Sequence, residues 1–329
     1  MTVLVTGGAG YIGSHMVLRL RDANEQVVVM DNFSTGYRDL VPQGTPLVVG
    51  NVGDIDAVSE CLREFDIKEI IHFAGSIIVP QSVADPLKYY GNNTCVSRNL
   101  IEAAVACGVE HFIFSSTAAV YNSSDSAPIP EDADCAPLSP YGMSKLMTET
   151  MLRDVARASP LNFGVLRYFN VAGADPAKRS GHCAATATHL IKVACQAALG
   201  QRGYMEIFGT DYNTPDGTGV RDYVHVSDLV DAHALLLNYF RAGGASTTLN
   251  CGYGKGSSVR EVVAAVKSVS GTDFEVRESP RRPGDAASVV ADVGRLRDLL
   301  PWTPKYNDLR TMVQSAYEWE MLMAEREIG

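Results

Sequence analysis

No Cys-x-x-Cys pair occurs in this chain. Its seven cysteines (61, 95, 107, 135, 183, 195 and 251) are scattered and odd in number. That usage fits a reducing compartment and excludes a zinc ribbon or a disulfide scaffold. The seven histidines form no His-x-His or His-x-x-x-His pair, so metal-ligand spacing is missing too. No basic stripe is present: 28 Lys and Arg stand against 38 Asp and Glu, for a net charge of −10 and an isoelectric point of about 5.2. Nucleic acid and anionic membrane are therefore not expected as partners. No apolar run reaches transmembrane length, and the opening Met1-Thr-Val-Leu-Val-Thr-Gly-Gly8 carries no basic leader. The expectation is a soluble, cytoplasmic protein. Internal repeats and low-complexity segments are absent as well.

What the 329 residues do contain is 46% hydrophobic side chains, enough for a sizeable core in one large domain or two. The apolar run Val3-Leu4-Val5-Thr6 leads into Gly7-Gly8-Ala9-Gly10-Tyr11-Ile12-Gly13 and then a helix-like stretch from Ser14. Gly8, Gly10 and Gly13 satisfy G-x-G-x-x-G, and Gly7, Gly10 and Gly13 the related G-x-x-G-x-x-G. Such glycines serve a tight turn, close backbone approach to a pyrophosphate, and helix-on-strand packing. A second apolar run, Gln26 to Met30, ends at Asp31, 18 residues past Gly13. A carboxylate there suits the ribose diol of NAD, and Asn32-Phe33-Ser34 offers no cation for the phosphate of NADP.

Apolar runs at 47–50, 69–73, 111–116 and 162–168 alternate with helical patterns at 54–65, 86–105 and beyond Pro140. The alternation predicts a Rossmann-type doubly wound parallel sheet over residues 1–170. A smaller, mixed α/β substrate domain is expected over 171–329, with a soft boundary because later segments can return to the main sheet. Stretches 170–187 and 209–221, rich in Gly, Asp, Pro and Thr, read as cleft walls.

Ser139-Pro140-Tyr141-Gly142-Met143-Ser144-Lys145 opens a helix, and the spacing of Tyr141 and Lys145 puts both on one face. A lone phenol titrates near ~10; an ammonium at the same site favours the phenolate and brings Tyr141 into the range of a base. Thr117 ends the strand 111–116, at the edge where open α/β sheets bind ligands.

These residues, with Thr6 to His15, His72-Phe73-Ala74-Gly75, Asn92-Asn93, Phe114 to Thr117, Leu166 to Asn170, Gly217 to His225, Pro280-Arg281-Arg282 and Gly284-Asp285, resemble the UDP-glucose 4-epimerases. That family belongs to the extended short-chain dehydrogenase/reductase superfamily, and the likeness covers nearly the whole chain. The resemblance implies interconversion of UDP-glucose and UDP-galactose through a 4-keto sugar, with tightly held NAD as recycled oxidant. It implies Tyr141 as base, Thr117 on the same sugar oxygen, and Lys145 on the nicotinamide ribose. Gly7, Gly10, Tyr11, Ile12, Gly13, Asp31, Asn32, Asn51, Val52, Phe73, Ala74, Asn92, Lys145, Tyr168 and Phe169 match cofactor positions. Thr117, Tyr141, Asn170, His189, Arg221, Arg282, Asp285 and Val289 match substrate positions. The arginines are the local cations that a diphosphate needs in an acidic protein.

Departures from the family pattern are specific. Asn51 stands where many relatives have an adenine-binding Asp, leaving Asp54 as a helix N-cap candidate. Ser76 follows Ala74-Gly75 where some have Lys, and His189 replaces an amide. Val289 stands near a bulky Tyr of other members, which would make room for an N-acetyl group and hence for UDP-GlcNAc and UDP-GalNAc. Rival readings are an epimerase of UDP-xylose or UDP-glucuronate, a net oxidoreductase, and a 4,6-dehydratase. The dehydratase would need a carboxylate where Ala118-Ala119 follow Thr117. A non-catalytic NAD-binding regulator would be expected to have lost Tyr141 or Lys145. Helices 94–106 and 142–157, apolar on more than one face, suggest a four-helix homodimer interface.

Overall fold

Strands whose two faces are both covered read as nearly unbroken apolar runs, and such runs build the centre of this molecule. The computed structural model describes residues 1–122, 128–184, 188–282 and 285–328, with side chains as far as residue 325. The first half of the chain comprises β1 (Thr2–Thr6), α1 (Tyr11–Asp22), β2 (Gln26–Asp31), β3 (Leu47–Val49), α2 (Ile55–Glu64) and β4 (Ile67–His72). There follow α3 (Val79–Ala84), α4 (Pro86–Tyr89), a π-helical stretch Tyr90–Cys95, α5 (Val96–Ala106), β5 (His111–Thr117), α6 (Pro140–Ala158) and β6 (Asn162–Tyr168). Beyond these lie β7 (Asn170–Ala172), α7 (Leu190–Ala198), β8 (Met205–Phe208), β9 (Val220–His225), α8 (Val226–Arg241), β10 (Thr247–Cys251) and β11 (Gly256–Ser258). The last elements are α9 (Val259–Ser270), β12 (Val276–Ser279), β13 (Ser288–Val289), α10 (Gly294–Leu299) and α11 (Leu309–Ile328).

Seven parallel strands form the main sheet in the order β10-β6-β5-β4-β1-β2-β3. Side chains alternate across it: Val3, Val5, Ile113 and Leu166 enter one core with α1 and α8, while Leu4, Phe112, Phe114 and Val165 enter the other with α2, α5 and α6. Strand order reverses between β1 and β4, the switch point at which doubly wound sheets bind ligands. The chain does return to this sheet after residue 170, since β10 pairs with β6 and α8 covers β5 and β6.

The long helix expected from residue 86 to 105 is interrupted. The π-helical turn Tyr90–Cys95 lies between α4 and α5, and its physical reason is polar. Asn93 is buried there, accepting from Ser76 N (2.8 Å) and donating to Ser76 O (3.0 Å) and Ser144 Oγ (3.0 Å). Asn92 donates to Ser76 Oγ (2.9 Å). The two amides thus fasten the loop after β4 to α6. Residues 170–172, read as loop, are a strand: β7, β9, β11 and β13 make a small second sheet, and β8 pairs with β12.

Candidate active site

The register of the main sheet aligns its ligand edge: Thr6 lies opposite Met30 and His72, and Thr117 opposite Tyr168. The glycine turn leaves β1 with Gly7 at φ +69°. A Cβ on Gly7 would lie 2.6 Å from Ala74 N, and one on Gly13 2.1 Å from Gly7 O, so both positions are filled by protein backbone. Gly10 differs. A Cβ there meets only Gly7 O, at 3.2 Å, and Gly10 caps α1 without any side-chain acceptor. The first N–H groups of α1, with no side chain at Gly10 to cover them, fit a pyrophosphate. Asp31 closes the turn from β2, accepting from Ala9 N (3.0 Å) and Phe33 N (2.8 Å), and Asn32 accepts from Ser34 N (3.0 Å). These residues fit a dinucleotide.

The other residues expected at the cofactor lie after β1, β3 and β4 and at the end of β6. Asp54 is the N-cap of α2, accepting from Ala57 N (3.1 Å). Asn51 accepts from Gly53 N (2.9 Å) beside buried Val52. Tyr11 Oη donates to Gly173 O (2.6 Å), and burial pushes its phenol up. Ile12 packs on the core beside it. Phe73 faces His233, with ring centres 5.0 Å apart. Tyr168 is bonded to Ser115 Oγ and pushed up by burial, and Phe169 is buried with Val289 in a cluster that includes Val120 and Tyr121.

Ser139 caps α6 by accepting from Gly142 N (3.2 Å), with Pro140 in the first turn. Tyr141 is hydrogen-bonded to Thr117, which lowers its pKa, but burial is the larger effect and pushes the phenol up to about 12. Lys145 donates to Ser115 O (3.1 Å) and its Nζ lies 4.9 Å from the Phe114 ring centre. Burial pushes Lys145 down to about 8, with Glu149 acting the other way. Burial of the phenol thus opposes the lowering of the Tyr141 pKa expected from the Lys145 charge. Desolvation of the phenol outweighs an ammonium that is turned to the Ser115 carbonyl.

On the opposite wall, the small sheet sets Arg221 level with Val289 and puts Asn170 beside Tyr223. Arg221 Nη1 donates to Val220 O (2.9 Å), and Arg282 lies 3.7 Å from the Phe208 ring centre. Arg221 and Asp285 both act on the Tyr212 phenol, which burial raises. Gly284 lies outside the described residues. His189 is set apart from these: its ring lies 5.0 Å from that of His182, in a small cavity with Tyr11, Lys192 and Trp319. Residues that the sequence reading missed are Asn93, Ser115 and the buried pair Glu149–Arg167. Glu149 continues the four-residue spacing of Tyr141 and Lys145, a signal that was available. The ligand edge thus combines a dinucleotide turn with a Tyr-Thr-Lys constellation.

Comparison with known proteins agrees. The NAD dependent epimerase/dehydratase family profile matches residues 3–252. A UDP-glucose 4-epimerase of Azospirillum brasilense is 52% identical over 99% of this chain and 94% of its own. The chain belongs to the UDP-glucose 4-epimerase family. Two solved members superpose closely on it. The Stenotrophomonas maltophila epimerase, with bound NAD and formylated UDP-arabinopyranose, has a TM-score of 0.96 and 35% identity, covering 99% of both chains. The Brucella ovis epimerase in complex with NAD has a TM-score of 0.94 and 38% identity, covering 97% of this chain and 98% of its own.

The glycine geometry separates folding from cofactor binding. Gly10→Ala is expected to unfold within a few degrees of the parent while NAD affinity, measured by calorimetric titration, falls about tenfold or more. Gly13→Ala, driving its Cβ onto Gly7 O, is expected to lower the unfolding temperature as well. Unchanged NAD affinity in Gly10→Ala would remove the pyrophosphate assignment.

Proposed function

We propose that this chain interconverts UDP-glucose and UDP-galactose by oxidation at sugar C4 followed by reduction from the other face. The observation that carries this reading is the placement of Thr117, Tyr141 and Lys145 together at the C-terminal end of β5 and the start of α6, next to a glycine turn that fits a dinucleotide. Bound NAD supplies a hydride acceptor that becomes the donor within the same turnover. The Tyr141 oxygen takes the 4-hydroxyl proton and returns it, and Thr117 holds the phenol in line. Lys145 stabilises the phenolate by its charge. Arg221 and Arg282 bind the diphosphate, with Asn170 and Asp285 toward the nucleotide, and Val289 with Phe169 borders the hexose. His189 takes part from the cavity behind Tyr11. Water exclusion follows from burial of Tyr141 and Lys145, which are 8% and 3% exposed.

Ala118-Ala119 after Thr117 supplies no acid for elimination, which disfavours a dehydratase. A second reading rests on Val289: a small side chain where the family resemblance puts a bulky Tyr in other members would make room for an N-acetyl group, so UDP-GlcNAc and UDP-GalNAc are proposed as a second substrate pair. We propose a cytoplasmic homodimer. Among the described residues no helix is long and apolar enough to cross a membrane. Val105 on α5 and Met147 on α6 are exposed apolar groups of the adjoining helices.

Purified protein given UDP-glucose and no added NAD is expected to form UDP-galactose in a coupled assay, and Tyr141→Phe to lose at least about 10²-fold in kcat. Steady production of NADH would replace the epimerase reading with a net dehydrogenase. Turnover should fall as pH rises through about 8, because the Lys145 ammonium, depressed by burial, loses the charge that supports the phenolate. A rate flat to pH 10 would show that this charge is not used. UDP-GlcNAc should turn over in the same assay; no reaction, with UDP-glucose active, sinks the N-acetyl assignment. Light scattering should return twice the 35.4 kDa chain mass, and a single-chain mass at micromolar concentration excludes the dimer.

A further inference from the structure

Behind the Tyr141–Lys145 pair, α6 carries a third buried polar side chain. Glu149 sits four residues after Lys145 and eight after Tyr141, so the three form a ladder on one helical face. Glu149 is 0% exposed and its partner Arg167, on β6, is 3% exposed. Arg167 Nε lies 3.1 and 3.2 Å from the two carboxylate oxygens, and Nη2 lies 2.6 Å from Oε2. Ser116 of β5 donates to the same carboxylate. The other arm of the guanidinium, Nη1, donates to Tyr121 Oη (3.0 Å) and Glu131 O (3.0 Å). Tyr121 in turn donates to Asn250 Oδ1 (2.6 Å), and Asn250 holds Ile129 O (2.8 Å) and Asp292 O (3.3 Å). One continuous buried network therefore joins α6 to β5, β6, β10 and the chain that follows β13.

Stability does not explain such a pair. Desolvating two charges costs about as much as their attraction returns, and apolar side chains of similar volume often do as well. What an apolar pair would not provide is a fixed negative charge one helical turn from Lys145. Around that ammonium stand the Ser115 carbonyl and Phe114 ring of β5, the turn at Gly75 and Asn93 of the π-helical stretch. His72 of β4, bonded to Thr6 and Ser97, is driven down to about 3 by burial and by Lys145, so it is neutral. Tyr168 reaches the group only through Ser115. Glu149 is the anion that acts on Lys145, moderated by Arg167.

We propose that Glu149 and Arg167 are positioning residues for the reaction: bonded to each other and to Ser116, they fix the register of α6 on β5 and β6 and hold a counter-charge behind Lys145, keeping its ammonium at the Ser115 carbonyl beside the reacting site. The inference rests on the epimerase reading for its kinetic consequence, but its charge consequence is measurable in NAD binding alone.

The test compares Glu149→Gln and the volume-matched double variant E149M/R167M with the parent chain. Three readouts are taken on each: thermal unfolding, the pH profile of kcat with UDP-glucose, and the pH dependence of NAD affinity by calorimetry. The double variant is expected to unfold near the parent temperature, since no charge is left unpaired. Its kcat should still be reduced by about 10-fold to 10²-fold, the scale of a small misplacement of catalytic groups, with KM changed less than threefold. In Glu149→Gln the alkaline fall in kcat and in NAD affinity should move down by about one pH unit, as loss of a neighbouring opposite charge requires, and in the double variant by less, because the opposing Arg167 charge is lost as well. A double variant with parental kcat and an unshifted pH profile overturns the proposal and leaves a merely structural pair. Failure of both variants to fold, with Lys145→Met folded beside them, overturns it equally. If the parent chain lacks epimerase activity, the function assigned above fails, while the NAD-affinity profiles still decide the role of Glu149.

Discussion

Everything at the ligand edge depends on how one helix is docked. α6 crosses the outer ends of β5 and β6 with Tyr141, Ser144, Lys145, Thr148 and Glu149 all turned inward, an unusually polar face for a buried helix. Each of these groups is matched: Tyr141 by Thr117, Ser144 by Asn93, Lys145 by the Ser115 carbonyl, Thr148 by the Ser144 carbonyl, and Glu149 by Arg167 and Ser116. An unmatched buried donor or acceptor costs about 1–3 kcal/mol, and a charge more, so the helix has one satisfactory register. Sliding it by a residue would strand several polar groups at once. The chemistry inherits that precision, because the phenol and the ammonium are placed by the same contacts that seat the helix.

Two further constraints meet this one. The glycine turn is pressed between β1, β4 and α1 so tightly that Gly7 and Gly13 admit no side chain, while a Cβ at Gly10 would meet only Gly7 O, at 3.2 Å. Backbone packing thus shapes a recess for a phosphate without using any cation. The other wall solves the anion problem differently. In a chain of net charge −10, Arg221 and Arg282 are gathered by the small sheet and the segment before it. Asp222, next to Arg221, ties that sheet to the turn after β10 by accepting from Tyr253, Gly254 and Ala291 N–H groups. Burial still raises its carboxyl to about 6.

Much of this could be read from residues alone, and the reasons are local. Parallel strands covered on both faces show as apolar runs, so the strands from β1 to β6 were legible. Tyr141 and Lys145 were legible because a four-residue helical spacing is independent of the rest of the fold. Asp31 was legible through its distance from the glycines. What escaped depended on pairing across the sequence. Thr247–Cys251 looks like any short strand, and only its partner β6 makes it part of the main sheet. Arg167 reads as one polar residue in a strand until Glu149, 18 residues earlier, is found opposite it. The π-helical turn at Tyr90–Cys95 keeps helical periodicity on both sides and differs only in where Asn92 and Asn93 point. Spacing likewise reveals a charge neighbouring Tyr141 but not the depth at which the phenol is buried.

The central claim is that one closed site removes a hydride from C4 and returns it to the same carbon. UDP-glucose carrying deuterium at C4, incubated with the protein in ordinary water, tests it directly. Mass spectrometry of the UDP-galactose formed should find the deuterium fully retained at C4, with no hydrogen gained from solvent. Washout of the label into water would mean that C4 is epimerised by proton exchange, and the account of Tyr141, Thr117 and Lys145 serving a recycled hydride would be wrong.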